Sequence, residues 1–234
     1  MKKTNFILCS LITAFCVQGA YANPFEYDYY AGARFGFTMA DFKETQNLGV
    51  LHLPANIDAD FTVKHSASMM GGNMFMGYRL NRTWSLEGEL GFLGSYSDEY
   101  EDFELSINTP YVQANLLANT ARKKSGWFYA GAGLGVALPT ISVTDKLNNP
   151  ASYLVGEKNS TSMSPLVAFM AGYKVKPAPR WFVDFGYKLS MYQGGSLSRL
   201  FADAENDPIE YVHMFNTVGL VTNHTLQLGI GYEF

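Results

Sequence analysis

The chain has 234 residues, of which 47% are apolar, 15% aromatic and only 16% charged, and its formal net charge is −4. Ordinary soluble domains carry roughly 25% charged residues, and a mildly acidic balance argues against broad nucleic-acid binding. Leu166–Tyr173 is among the longest apolar runs after the N-terminus and falls far short of the ~20 residues of a spanning helix, which excludes a helical membrane protein.

The first residues form an export leader. Met1, Lys2 and Lys3 give a positive start, Phe6 to Val17 an apolar core, and Ala20-Tyr21-Ala22 a small-residue cleavage site. A signal peptide over 1–22 and a mature domain over 23–234 follow. Cys9 and Cys16 both lie in the leader, preceded by Leu8 and Phe15 rather than by the small residue that lipid attachment needs. The mature chain then has no cysteine, and so neither disulfides nor thiolate metal sites. Losing Lys2 and Lys3 takes the net charge from −4 to −6.

Period-two alternation, the mark of strands, recurs near 27–40, 65–79, 84–96, 105–118, 127–139, 162–175, 181–192 and 220–234. One parity is bulky and apolar, the other small or polar. The first segment sets Ala31, Ala33, Phe35, Phe37 and Met39 against Gly32, Arg34, Gly36 and Thr38. The fifth sets Ala130, Ala132, Leu134 and Val136 against Gly131, Gly133 and Gly135. A soluble sandwich would place the polar parity in water, where glycine only weakens a strand. A membrane barrel turns the bulky parity to lipid and keeps glycine for a crowded interior. The glycines favour the barrel.

The connections agree. Leu80–Thr83, 119–126 and Lys176–Arg180 are short, whereas 41–64, 97–104, 140–161 and 193–219 are mostly long. That alternation predicts an all-β, eight-stranded antiparallel up-and-down transmembrane barrel with short periplasmic turns and four long extracellular loops. The short turns are basic (Arg82, Arg122, Lys123, Lys124, Lys176, Arg180) and two long loops acidic. Trp84, Trp127 and Trp181 each open a strand after a short turn, while Tyr78, Tyr173, Tyr232 and Phe234 close strands descending to that side. Together they predict an interfacial aromatic girdle. The last strand must pair with the first, because an open edge in lipid leaves backbone groups unsatisfied.

Met76-Gly-Tyr-Arg79, Tyr129-Ala-Gly-Ala-Gly-Leu-Gly135, Ala171-Gly-Tyr-Lys174, Val183-Asp-Phe-Gly-Tyr-Lys188 and the terminal Leu228-Gly-Ile-Gly-Tyr-Glu-Phe234 resemble small eight-stranded outer-membrane proteins. These include the OmpA-like barrels and the opacity-protein and major-surface-antigen families. The resemblance implies the outer membrane of a Gram-negative bacterium after Sec-dependent export, and contact with outer-membrane lipid and lipopolysaccharide. It also implies insertion by the barrel-assembly machinery through the Phe234 strand, a host-surface or matrix ligand at the loops, and no cofactor.

The inward parity gathers Arg34, Glu87, Glu89, Gln113, Asn115, Lys174, Asp184 and Lys188. Charges away from water need partners, so these residues form either a structural plug or the lining of a narrow water or ion path. An eight-stranded barrel is only just wide enough for side chains to fill, which favours the plug. No catalytic residue is expected: none of His52, His65, His213 and His224 has a serine two residues on, and adjacent His65 and Ser66 would face opposite sides of a strand. No metal site is expected either. The acidic run Asp98–Glu104 lacks the Asp/Asn-Gly spacing of a calcium loop. Leu197, Leu200, Phe201 and Ala204, after Ser196, have the spacing of a short amphipathic helix over the barrel mouth. The functional expectation is a surface protein acting through its loops as antigen, adhesin or membrane stabiliser. The alternative is a narrow diffusion channel, and a lipid-modifying enzyme is a more distant third.

Overall fold

The computed structural model describes residues 28–50, 59–99, 103–120, 125–145, 152–156, 159–203 and 210–234. The expected leader and cleavage site, and the centre of the acidic run, lie outside them. The strands are β1 (Tyr29–Val50), β2 (Ala59–Arg79), β3 (Trp84–Glu99), β4 (Phe103–Asn119), β5 (Gly126–Ala137), β6 (Thr140–Asp145) and β7 (Ser152–Gly156). They continue with β8 (Asn159–Thr161), β9 (Ser164–Val175), β10 (Trp181–Gln193), β11 (Ser196–Asp203), β12 (Glu210–Val218) and β13 (Leu220–Glu233).

Eight of these close a barrel in the order β1-β2-β3-β4-β5-β9-β10-β13, each antiparallel to its neighbours. The seam closes between β1 and β13, from Tyr30 opposite Glu233 to Asp41 opposite Thr222. The backbone N–H of Phe234 donates to Tyr29 O at 2.9 Å, so the terminal residue still takes part in closure. Closure removes the sheet edge and pairs the backbone groups that lipid could not satisfy.

The bulky parity of each barrel strand is exposed: Phe35 and Phe37 on β1, Met70, Met74 and Met76 on β2, Leu90 on β3, Leu134 on β5, and Leu226, Leu228 and Ile230 on β13. Opposite them, Gly131, Gly133 and Gly135 lie beneath side chains of β4. A Cβ on Gly131 would approach Leu117 Cδ2 to 2.6 Å, and one on Gly135 would approach Gln113 Cβ to 2.9 Å. The glycines of β5 hold space for the longer residues of β4.

Where they are described, the long connections carry strands. β1 and β2 stay paired as far as Leu48 opposite Ala59, β12 adds to β1 above the barrel, β11 adds to β12, and β7 to β11. β6 continues the β4 ladder and β8 pairs with β6. The expected helix at 197–204 is also corrected. Leu197, Leu200 and Phe201 lie on β11, whose two edges are taken by β12 and β7, and Ala204 lies outside the described residues. Pairing on both sides overrides a weak local period.

The first strand runs past residue 40 because its polarity inverts there rather than ending. Below that level the outward residues are Phe35, Phe37 and Met39, and the inward ones Arg34, Gly36 and Thr38. Above it Asp41 and Lys43 face outward, while Ala40 and Phe42 are buried inside. β2 inverts at the same height, with Ser66 and Ser68 outward and Ala67 and Met69 buried. The register is continuous through the change. A change of the outer medium from lipid to water accounts for the inversion: apolar side chains leave the outer face and pack inside.

Candidate functional site

The lumen is filled in three tiers. In the middle tier, Arg34 on β1 is surrounded by carboxylates from two sides. Its Nη1 donates to Glu87 Oε1 at 2.7 Å and to Glu89 Oε1 at 2.8 Å, and its Nε donates to Asp184 Oδ2 at 2.8 Å. Lys188 Nζ donates to Glu89 Oε2 at 2.5 Å and to Tyr111 Oη at 3.1 Å, and Lys174 Nζ to Glu87 Oε2 at 3.5 Å. Tyr129 Oη donates to the remaining oxygen of Asp184 at 2.9 Å. Arg34, Lys174 and Lys188 thus balance Glu87, Glu89 and Asp184, and all six are buried. Burying such charges is tolerable only when each is paired and hydrogen-bonded.

Aromatic faces complete this tier. Arg34 Cζ lies 3.9 Å from the Phe75 ring centroid. Lys174 Nζ lies 4.5 Å from that of Tyr30 and 5.0 Å from those of Tyr129 and Phe182. Cation–π attraction gains strength when the cation is desolvated. Gln113 and Asn115 sit beside the ion pairs on β4, bonded to each other and buried.

At the short-turn end, Glu233 pairs with Arg79 and, at 2.7 Å, with Lys176. Toward the long-hairpin end the lumen becomes apolar, with Phe42, Met69, Leu93, Ile141, Leu166 and Val221 packed together. The cavity left among them is about 20 Å³. That is close to the room a single water needs.

Sequence parity brought the eight inward polar residues to one compartment but missed Arg79 and Glu233, which share the inward parity of their strands. It also missed Tyr30, Phe75, Tyr111, Tyr129 and Phe182, because bulk was taken as a sign of facing lipid. Among the described residues no group of three His, Asp or Glu side chains is placed to hold a metal ion. Of the four histidines only His224 has a described side chain. It faces outward, its Nδ1 2.6 Å from Tyr187 Oη in a hydrogen bond.

The aromatic ring at the short-turn end needs one correction. Trp84 and Trp181 are 41% and 47% exposed, whereas Trp127 is 4% exposed and packs inside against Phe182. Trp127 shares the parity of Gly131, Gly133 and Gly135 and therefore points into the lumen, where its Nε1 donates to Asn119 Oδ1 at 3.2 Å. Phe128 takes the outward place, its ring 4.5 Å from that of Tyr173. Trp181 meets Tyr232 at 5.1 Å and Tyr29 meets Tyr78 at 4.9 Å, with Phe234 stacked beyond Tyr29.

Comparison with known proteins accords with this architecture. OprG, an outer membrane protein of Pseudomonas aeruginosa, superposes with a TM-score of 0.53 at 11% identity, over 89% of this chain and 97% of its own. Neisserial surface protein A gives 0.46 at 15% identity, over 85% and 97%. Ail, the attachment invasion locus protein of Yersinia pestis, solved with the heparin analogue sucrose octasulfate, gives 0.45 at 14% identity, over 88% and 99%. No curated protein matches by sequence. In barrels of this kind short turns face the periplasm and long connections the outside. The family model of the outer membrane protein beta-barrel domain matches residues 7–234, and the chain belongs to that family of Gram-negative outer-membrane barrels.

Proposed function

We propose that the protein is a non-conducting surface barrel that acts through its extracellular β-sheet rim, as an adhesin, antigen or membrane-stabilising protein. The observation that carries this reading is the filled lumen: a charge-balanced plug beneath an apolar cap with room for about one water. Ions crossing it would have to displace both buried ion pairs and packed apolar side chains. Arg34, Glu87, Glu89, Gln113, Asn115, Lys174, Asp184 and Lys188 then serve as a structural core. The outward aromatics Tyr78, Trp84, Tyr173, Trp181, Tyr232 and Phe234 mark the periplasmic interface, where amphipathic rings are favoured.

What remains for function is the rim, where β1 and β2 extend above the membrane and β12, β11 and β7 add strands to them. Purified protein in planar bilayers is expected to show no steady conductance, and regular openings would restore the channel reading. Shortening the β1–β2 and β11–β12 hairpins to barrel height is expected to abolish binding to host cells or matrix while heat-modifiable mobility on gels, the sign of a folded barrel, is kept.

A further inference from the structure

Three Asn-x-Thr triplets occur in the chain, beginning at Asn81, Asn159 and Asn223. Each has the acceptor pattern for attaching a glycan to the asparagine amide. The fold treats the three differently. Asn81 lies in the short turn between β2 and β3, where its Oδ1 accepts from the backbone N–H groups of Thr83 and Trp84, both at 2.8 Å. Asn223 is wholly buried in the lumen, and the hydroxyl of Thr225 is 2.9 Å from that of Thr38.

Asn159 alone of the three lies in a long connection, on β8. There Ser142 stands opposite Asn159, Ile141 opposite Ser160 and Thr140 opposite Thr161. Ile141 is packed in the upper lumen. Ser160 shares its inner face, so Asn159 and Thr161 face outward. Both are exposed, and the Thr161 hydroxyl oxygen lies 3.0 Å from that of Thr140.

The neighbouring sequence draws the same distinction independently. Transfer in the bacterial periplasm also reads an acidic side chain two positions before the asparagine, which pairs with a basic group of the transferase. That position holds Glu157 before Asn159, but Arg79 before Asn81 and Val221 before Asn223. A barrel chain crosses the periplasm unfolded, so a transferase meets all three triplets before closure. The one triplet with the acid is the one whose glycan the closed barrel can carry. A sugar on Asn223 would occupy the filled lumen, and one on Asn81 would compete with the turn.

We propose that Asn159 is a glycosylation site, taking an oligosaccharide from a lipid-pyrophosphate donor through a periplasmic oligosaccharyltransferase. The amide Nδ2 attacks the anomeric carbon of the first sugar. The new C–N bond replaces the C–O bond to the pyrophosphate, which leaves with that bond's electron pair, and one amide proton passes to a base of the transferase. The folded barrel then holds the glycan outward from β8. The proposal rests on passage through the periplasm and is independent of what the rim binds and of whether the lumen conducts.

The test takes the full chain from outer membranes of the bacterium that encodes it and reads its intact and peptide masses. The expected result is a gain of one oligosaccharide, mapped to Asn159 and lost in N159Q, which should keep its heat-modifiable mobility. E157Q and T161A should also lose the glycan, T161S should keep it, and N81Q should leave it unchanged. An unmodified Asn159, a glycan that survives E157Q, or a glycan at Asn81 or Asn223 would each overturn the proposal.

Discussion

Arg34 and Asp184 stand 150 positions apart in sequence and meet across Gly229, with Nε 2.8 Å from Oδ2. Gly229 is the register partner of both, on the strand between them. A Cβ there would come within 2.7 Å of Arg34 Cγ. The ion pair thus spans a strand, and a residue without a side chain makes the crossing possible. The strongest consequences of the fold for stability follow from this arrangement.

Arg34→Met removes the cation shared by Glu87, Glu89 and Asp184, and is expected to cost about 3–5 kcal/mol, since breaking a buried ion network leaves charge uncompensated. The loss should appear as a lower urea midpoint in micelles. Adding Glu87→Gln and Asp184→Asn to Arg34→Met should recover part of it. A single variant as stable as the parent would show that the network contributes nothing to folding.

Gly229→Ala tests the crossing itself. Overpacking a filled interior costs about 1–3 kcal/mol, and the added methyl should displace Arg34. The same substitution at Gly88, whose Cβ would meet nothing closer than 3.9 Å, should be nearly neutral. The comparison is made by unfolding both variants under identical conditions.

Tryptophan fluorescence separates lipid-facing from luminal rings. In bilayers of brominated lipid, variants keeping only Trp84 or only Trp181 should be strongly quenched, and one keeping only Trp127 spared. Trp127→Ala should also cost about 3–5 kcal/mol as a core truncation, more than Trp181→Ala.

The polarity inversion predicts a boundary in labelling. With Cys9 and Cys16 replaced by serine, single cysteines at positions 37, 39, 41 and 43 all point outward. A membrane-impermeant maleimide should react at 41 and 43 and leave 37 and 39 unmodified in liposomes. Uniform reaction along the strand would place the lipid boundary elsewhere.

Phe234 closes the seam through its backbone and stacks against Tyr29, 6.3 Å between centroids. Removing it should lower the amount of heat-modifiable barrel in cells severalfold yet change refolding into detergent only slightly. That contrast distinguishes recognition by the assembly machinery from a role in stability.

The alternation of Phe35, Phe37 and Met39 with Arg34, Gly36 and Thr38 was enough to read a strand with one face in lipid, since period two is a local property of the backbone. The continuation to Val50 was not legible, because Ala40-Asp41-Phe42-Lys43 exchanges the meaning of the two parities without breaking the strand. Trp127 was misplaced for a related reason: its position after a turn suggested an interfacial role, whereas its parity with Gly131 and Gly133 decided its direction. The carboxylates Glu87, Glu89 and Asp184 could be assigned to the interior, but not to Arg34.

Chain chemistry by itself therefore determined the eight barrel strands, the general direction of their faces within the membrane and the alternation of short and long connections. These depend on neighbours one or two residues away and on the solvent each face prefers. Which charges pair, where glycine opens a path between them, how β12 and β11 extend the rim, and that the upper lumen is packed with apolar side chains were decided only by the closed barrel. Those contacts join residues far apart in the chain, and the curvature and register that bring them together exist only once the last strand has met the first.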